Sequence, residues 1–127
     1  MAKTSCARWF AIVSIAAAVL HFVGESWWHF EFGQFLPMLV VDYIAITLIL
    51  LGSTVYLRTG RSLGWLCGGW GFAFCLNYRA FFWRVEILMS GGGTAEMQAT
   101  TYVLGASLVF SVAMFLISMY LCHERQA

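Results

Sequence analysis

Charge is what this chain has least of. Asp, Glu, Lys and Arg make up 10% of the 127 residues, while hydrophobic residues make up 61%. A soluble domain carries about 25% charged residues. A small domain also leaves much of its surface in water, so a soluble fold of this length has nowhere to hide so much apolar area. A bilayer solvent removes that difficulty, and the mean hydropathy of +0.80 agrees with one. The formal net charge is +1 and there is no basic run or recognition motif, which sets nucleic acid aside as a partner. No C-x-x-C pair joins the four cysteines, Cys6, Cys67, Cys75 and Cys122. Cys6 and Cys122 lie near chain ends expected in a reducing cytoplasm. Cys67 and Cys75 fall in an apolar segment, where a free thiol acts as a small hydrophobe. All four are expected to be structural. There is no internal repeat, no H-E-x-x-H motif and no low-complexity tract beyond the glycine run Gly91–Gly93.

Long apolar runs are what the chain has instead. A spanning helix needs about 20 mostly apolar residues, and four segments qualify, over 7–30, 36–57, 62–89 and 95–122. Lys3 and Arg8 precede the first run, and Ala16–Ala18 imitates a small-residue cleavage site. The apolar pattern nevertheless continues through His21 to Trp28, so this segment is expected to be an uncleaved first transmembrane helix. Gly33 and Gln34 separate the first two helices, and Pro37, the only proline, suits the first turn of the second. "RTGRS" and "SGGGT" supply the other two breaks. Thr94 is placed as an N-cap and Glu96 in a first turn, where the helix dipole favours an acid. Such short connections predict antiparallel neighbours. The expected fold is an all-α integral membrane protein, one domain of four transmembrane helices in an up-down-up-down antiparallel bundle. Gly64-x-x-x-Gly68 predicts a close backbone approach, with Ser107-x-x-x-Ser111 near Gly105 as a matching small face.

Orientation follows from where the basic residues fall. With four spans, Lys3, Arg8, Arg58, Arg61 and Arg125 all lie on one side, with Glu124 the only acid there. That side is expected to be cytoplasmic, with both termini inside, in a bacterial-type inner membrane or a plasma membrane. Trp27 and Trp28 then stand at the outer interface and Trp9 at the inner one.

This topology gathers the ionisable groups in the outer half: Glu25 and Glu31, Asp42, Arg79, Arg84, Glu86 and Glu96, joined by His21, His29 and Asn77. An ionisable side chain at the bilayer centre costs about 2.5–3.5 kcal/mol on insertion scales, so depth sorts them. Glu31 and Glu96 are interfacial, and Arg84 and Glu86 lie within reach of water. His21, Glu25, Asp42 and Arg79 are deeper. Arg79 stands roughly 15 Å from the end of its helix and is expected to pair with Glu25 or Asp42. His21, Glu25 and His29 recur at i, i+4 and i+8, one slowly drifting stripe. Arg79, Trp83 and Glu86 share a face of the third helix, with Trp83 placed to stack on the Arg79 guanidinium. The expected ligand pocket is therefore His21, Glu25, Asp42, Asn77, Arg79 and Glu86, edged by Trp27, Tyr43, Tyr78 and Trp83. The alternative is a buried polar network that fixes helix geometry and does nothing else.

Several chemistries fit such a pocket. His21, Glu25, His29 and Asp42 are candidate metal ligands. His21 and His29 are about 12 Å apart along the axis, so one ion does not take both, and a nearby Arg79 would repel it. Bis-histidine haem requires histidines on facing helices. His21 and His29 share one helix and His123 lies at the opposite membrane face, so no haem pair is formed. A membrane-embedded Glu25 or Asp42 can load and release a proton, as proton-coupled transport requires. The fragment His21-x-x-x-Glu25-x-Trp27 is similar to a short stretch of the emopamil-binding, sterol-isomerase-like membrane proteins. Those have an acid and a histidine in an aromatic-lined pocket, which implies a membrane-embedded enzyme. The likeness covers about seven residues, and no family is assigned from it. The expectation is binding or transport of a small ligand or ion, with no cofactor identified. Two alternatives stand beside it: a non-catalytic subunit or assembly factor of a larger membrane complex, and a metal- or lipid-dependent enzyme. The expected partners are membrane lipids, with a homo-oligomer or a larger complex open to it.

Overall fold

The computed structural model describes residues 2–61 and 63–126, with backbone alone for 2–4 and 125–126. Ser62, the expected first residue of the third helix, and the side chains of Lys3 and Arg125 lie outside what is described. The described chain is four helices: α1 (Ala2–Phe32), α2 (Leu36–Thr59), α3 (Gly64–Met89) and α4 (Ala95–Gln126).

The helices end where backbone chemistry ends them. Gly33 takes φ 69° and its N–H returns to His29 O at 3.0 Å. Gly60 takes φ 66° and its N–H returns to Tyr56 O at 2.8 Å. Both are left-handed terminations that a side chain would strain. Pro37 lies in the first turn of α2, where a missing N–H costs nothing. Thr94 Oγ1 accepts the Met97 N–H at 3.1 Å, so the expected N-cap is formed.

Among the described residues, three stretches are long and apolar enough to cross a membrane: Ser5–Phe32, Leu36–Thr59 and Ala95–Glu124. The expectation of four spans is thus met by length and composition in three helices. At 26 residues α3 is long enough, about 39 Å by the helical rise. Its glycines, Asn77, Arg79, Arg84 and Glu86 dilute its apolar character.

Consecutive helices pack antiparallel: α1 on α2, α2 on α3 and α3 on α4. These three pairings are the extensive ones among the described residues. One core runs through the four helices. Ala7, Phe10, Ala11 and Ala18 of α1, Ala45, Ile46, Ile49 and Tyr56 of α2, Leu66, Trp70 and Ala73 of α3, and Met114 and Leu121 of α4 are buried together. The alanines of α1 let the α3 indole reach across: Trp70 Nε1 donates to Ser14 Oγ at 3.0 Å, and Ser14 Oγ donates to Phe10 O at 2.8 Å. The buried indole N–H and the Ser14 hydroxyl therefore each have a partner, as an apolar interior demands.

The close approach of helices uses different glycines from the expected pair. A Cβ on Gly52 would stand 2.6 Å from the Leu66 backbone nitrogen, and one on Gly69 would stand 3.0 Å from the Ile49 nitrogen. Gly52 and Gly69 are thus the contact of α2 with α3. Gly64 and Gly68 meet nothing within 4 Å and, with Leu48, Trp65 and Phe72, line an open groove of about 350 Å³. The spacing rule finds a small face without saying which way it points. Ser111 is buried, and Gly71 of α3 and Gly105 of α4 receive the rings of Phe115 and Phe81, so these two glycines serve the α3–α4 seam.

Candidate functional site

The mouth of the α1–α2 hairpin holds the site. Glu25 lies about 10 Å back from the end of α1, and Asp42 about 9 Å on from the start of α2. Antiparallel packing through a three-residue link brings these two levels together. His21 Nε2 is 3.5 Å from Glu25 Oε1, one helical turn apart on α1, with side chains 28% and 26% exposed. One ligand atom from each of His21, Glu25 and Asp42 lies within 4.8 Å of the other two.

The link closes over this cluster. Gln34 Nε2 donates to Asp42 Oδ2 at 3.4 Å. Gln34 Oε1 is buried without a hydrogen-bond partner. Beside Asp42, Tyr43 Oη and Ser26 Oγ share a hydrogen bond of 2.7 Å, and the Phe22 ring packs on the Tyr43 ring at 5.2 Å. This second α1–α2 contact fixes the register that faces Glu25 toward Asp42. Sequence reasoning used Gln34 only as a helix break and missed Ser26. The available signal was geometric: a polar residue in a short link must sit over the mouth of a hairpin whose two arms each carry an acid.

The remaining expected residues are elsewhere. His29 does not join the cluster; its ring meets Phe30, and its Nδ1 is buried with no partner. Asn77 Nδ2 donates to Ala73 O on its own helix at 3.1 Å. Tyr78, Arg79, Trp83 and Glu86 are exposed. Tyr78 packs against Phe74 and Phe82, and Trp27 rests on Trp28 and Phe32.

The expected ion pair of Arg79 with Glu25 or Asp42 is therefore corrected: Arg79 makes no ion pair or hydrogen bond among the described residues. The reason is helical phase. At 100° per residue, Arg79 and Glu86 stand about 120–140° around α3 from Ala73, whose side chain is buried in the core. The stripe Arg79–Trp83–Glu86 is real, but it faces out. The expected stacking of Trp83 on Arg79 is replaced by another pair. Arg84 lies over the Trp28 ring at 5.7 Å and donates through Nη1 to Thr100 Oγ1. The arginine expected to reach water instead ties α1, α3 and α4 together.

Two carboxylates thus face each other in a half-buried site with no arginine or lysine paired to them among the described residues. Carboxylates so placed repel one another, and the low-dielectric surroundings strengthen that repulsion. A bound cation relieves it. No protein-family model matches the chain, and neither a curated protein nor a solved structure matches it.

Proposed function

We propose that this is a small polytopic membrane protein that binds or transports a small ligand or ion of positive charge at His21, Glu25 and Asp42. One observation carries the reading: three donor groups from two helices converge within 4.8 Å at a membrane level where uncompensated charge is costly. In this reading α3 crosses the membrane as well. It packs antiparallel along both α2 and α4, which are themselves long and apolar enough to cross. Arg8, Arg58 and Arg61 are exposed and lie toward the end opposite the cluster. The positive-inside rule then puts that end in the cytoplasm, and the site toward the outer face of a bacterial-type inner or plasma membrane.

The test is thermal unfolding of detergent-purified protein against potassium, magnesium, zinc, tetramethylammonium and spermidine, each alone. A cation that binds the folded state raises the midpoint. At least one is expected to do so for the wild type and to lose the effect in Glu25→Gln and Asp42→Asn. The reading fails if no cation acts, or if all act equally on the variants.

A second reading, a subunit of a larger membrane complex, is favoured by the large rings that α1 and α4 leave exposed, among them Trp9, Trp27, Phe30, Tyr102 and Tyr120. Native mass spectrometry after gentle extraction separates the two. A bare mass of one or a few protomers supports a self-contained binding protein, and co-release of other polypeptides supports the subunit.

A further inference from the structure

We propose that the cluster is a zinc-type transition-metal site in which the carboxamide of Gln34 is the fourth ligand; the inference rests on the cation-binding reading above and narrows it. Three observations carry it. The first is the donor set. One imidazole nitrogen with two carboxylates suits zinc and its first-row neighbours, whereas magnesium and calcium take oxygen alone.

The second is spacing. Ligands at 2.0–2.1 Å in a tetrahedron stand about 3.3–3.4 Å from one another. His21 Nε2 and Glu25 Oε1 are 3.5 Å apart, already an edge of that figure. All three ligand atoms lie within 4.8 Å of one another, and a bound ion would draw them in to that edge length. The span is that of a single ion. The adjoining ring pair, Phe22 with Tyr43, does not form the aromatic cage an organic ammonium requires.

The third is Gln34. Its Nε2 is 3.4 Å from Asp42 Oδ2, again an edge of the tetrahedron, while its Oε1 is buried and has no donor. The two ends of a carboxamide are alike in shape. A half-turn of the amide puts Oε1 where Nε2 now stands, an oxygen donor beside Asp42 that an ion held between the two would satisfy. The outward-facing Arg79 also leaves no guanidinium to repel the ion.

The experiment titrates the full-length detergent-purified protein with zinc chloride by calorimetry, and with cobalt(II) by absorption. Wild type, His21→Ala, Asp42→Asn, Gln34→Ala, Gln34→Glu and Glu86→Gln are compared, each first shown to be helical and monodisperse. Zinc held by the free thiols is common to all and cancels. The expected result is one zinc site per chain that excess magnesium does not displace, with the intense visible bands of tetrahedral cobalt. His21→Ala and Asp42→Asn each lose at least tenfold in affinity, and Glu86→Gln loses none. Gln34→Ala loses about tenfold, while Gln34→Glu, which keeps an oxygen donor and cannot donate to Asp42, binds zinc at least as tightly as the wild type. Weakened binding in Gln34→Glu would overturn the ligand role of Gln34. Zinc binding unchanged in His21→Ala would overturn the metal site. If potassium, magnesium or an organic cation binds in a Glu25- and Asp42-dependent way and zinc does not, the metal falls and the cation reading stands. If no cation binds, both fall.

Discussion

The stripe His21–Glu25–His29 on α1 and the stripe Arg79–Trp83–Glu86 on α3 are built alike. Each sets ionisable groups among large rings, one helical turn or two apart. Yet His21 and Glu25 are half-buried against Asp42 of the next helix, and Arg79 and Glu86 are exposed, with Trp83 61% exposed between them. The glycines divide in the same way. Gly52 and Gly69 hold α2 against α3, and Gly64 and Gly68 open on a groove. What the comparison teaches is that a helical period makes a face, and the neighbouring helix gives the face its meaning.

The division is most easily broken at the glycines. Gly52→Ala places a methyl group 2.6 Å from a backbone nitrogen, which no side-chain rotation relieves. We expect it to lose about 1–3 kcal/mol of stability. Gly68→Ala, with open space around it, is expected to be neutral or to gain about 0.5 kcal/mol from reduced chain entropy. Unfolding in mixed detergent and SDS micelles measures both, and equal midpoints would mean the two glycine pairs are not distinguished.

The arginines give the next largest contrast. Arg84→Ala removes the contact with Trp28 and the hydrogen bond to Thr100, and is expected to lose about 1–2 kcal/mol. Arg79→Ala is expected to change stability by no more than about 0.5 kcal/mol. The same assay decides, and a large loss in Arg79→Ala would show that its face is covered after all.

The smallest effect sharpens the picture of the hairpin. Ser26→Ala removes the Ser26–Tyr43 hydrogen bond and is expected to lose about 0.5–1.5 kcal/mol. Adding Tyr43→Phe should then have little further effect, because the two side chains act as one pair. Additive losses in the double variant would place their partners elsewhere.

Much of this was legible in the chain itself. Scarce charge and long apolar runs fix a helical, membrane-suited chain, because no soluble fold of this length buries so much apolar surface. The breaks follow from Gly33, Pro37, Gly60 and Thr94, whose backbone and capping chemistry is local. The common level of Glu25 and Asp42 also follows from a three-residue link between antiparallel helices, while the Ser26–Tyr43 contact turns the two to face each other. The tertiary structure alone decided the rest. Whether Arg79 or Arg84 turns inward depends on the rotation of α3 about its axis, and that rotation is set by Gly52, Gly69 and Trp70 against α2 and α1. That one core draws on all four helices is likewise something no single helix records. The part of Gln34 depends on where a link lies relative to two side chains from different helices. Local chemistry writes the helices and their ends, and packing between distant segments chooses which of their faces form a site.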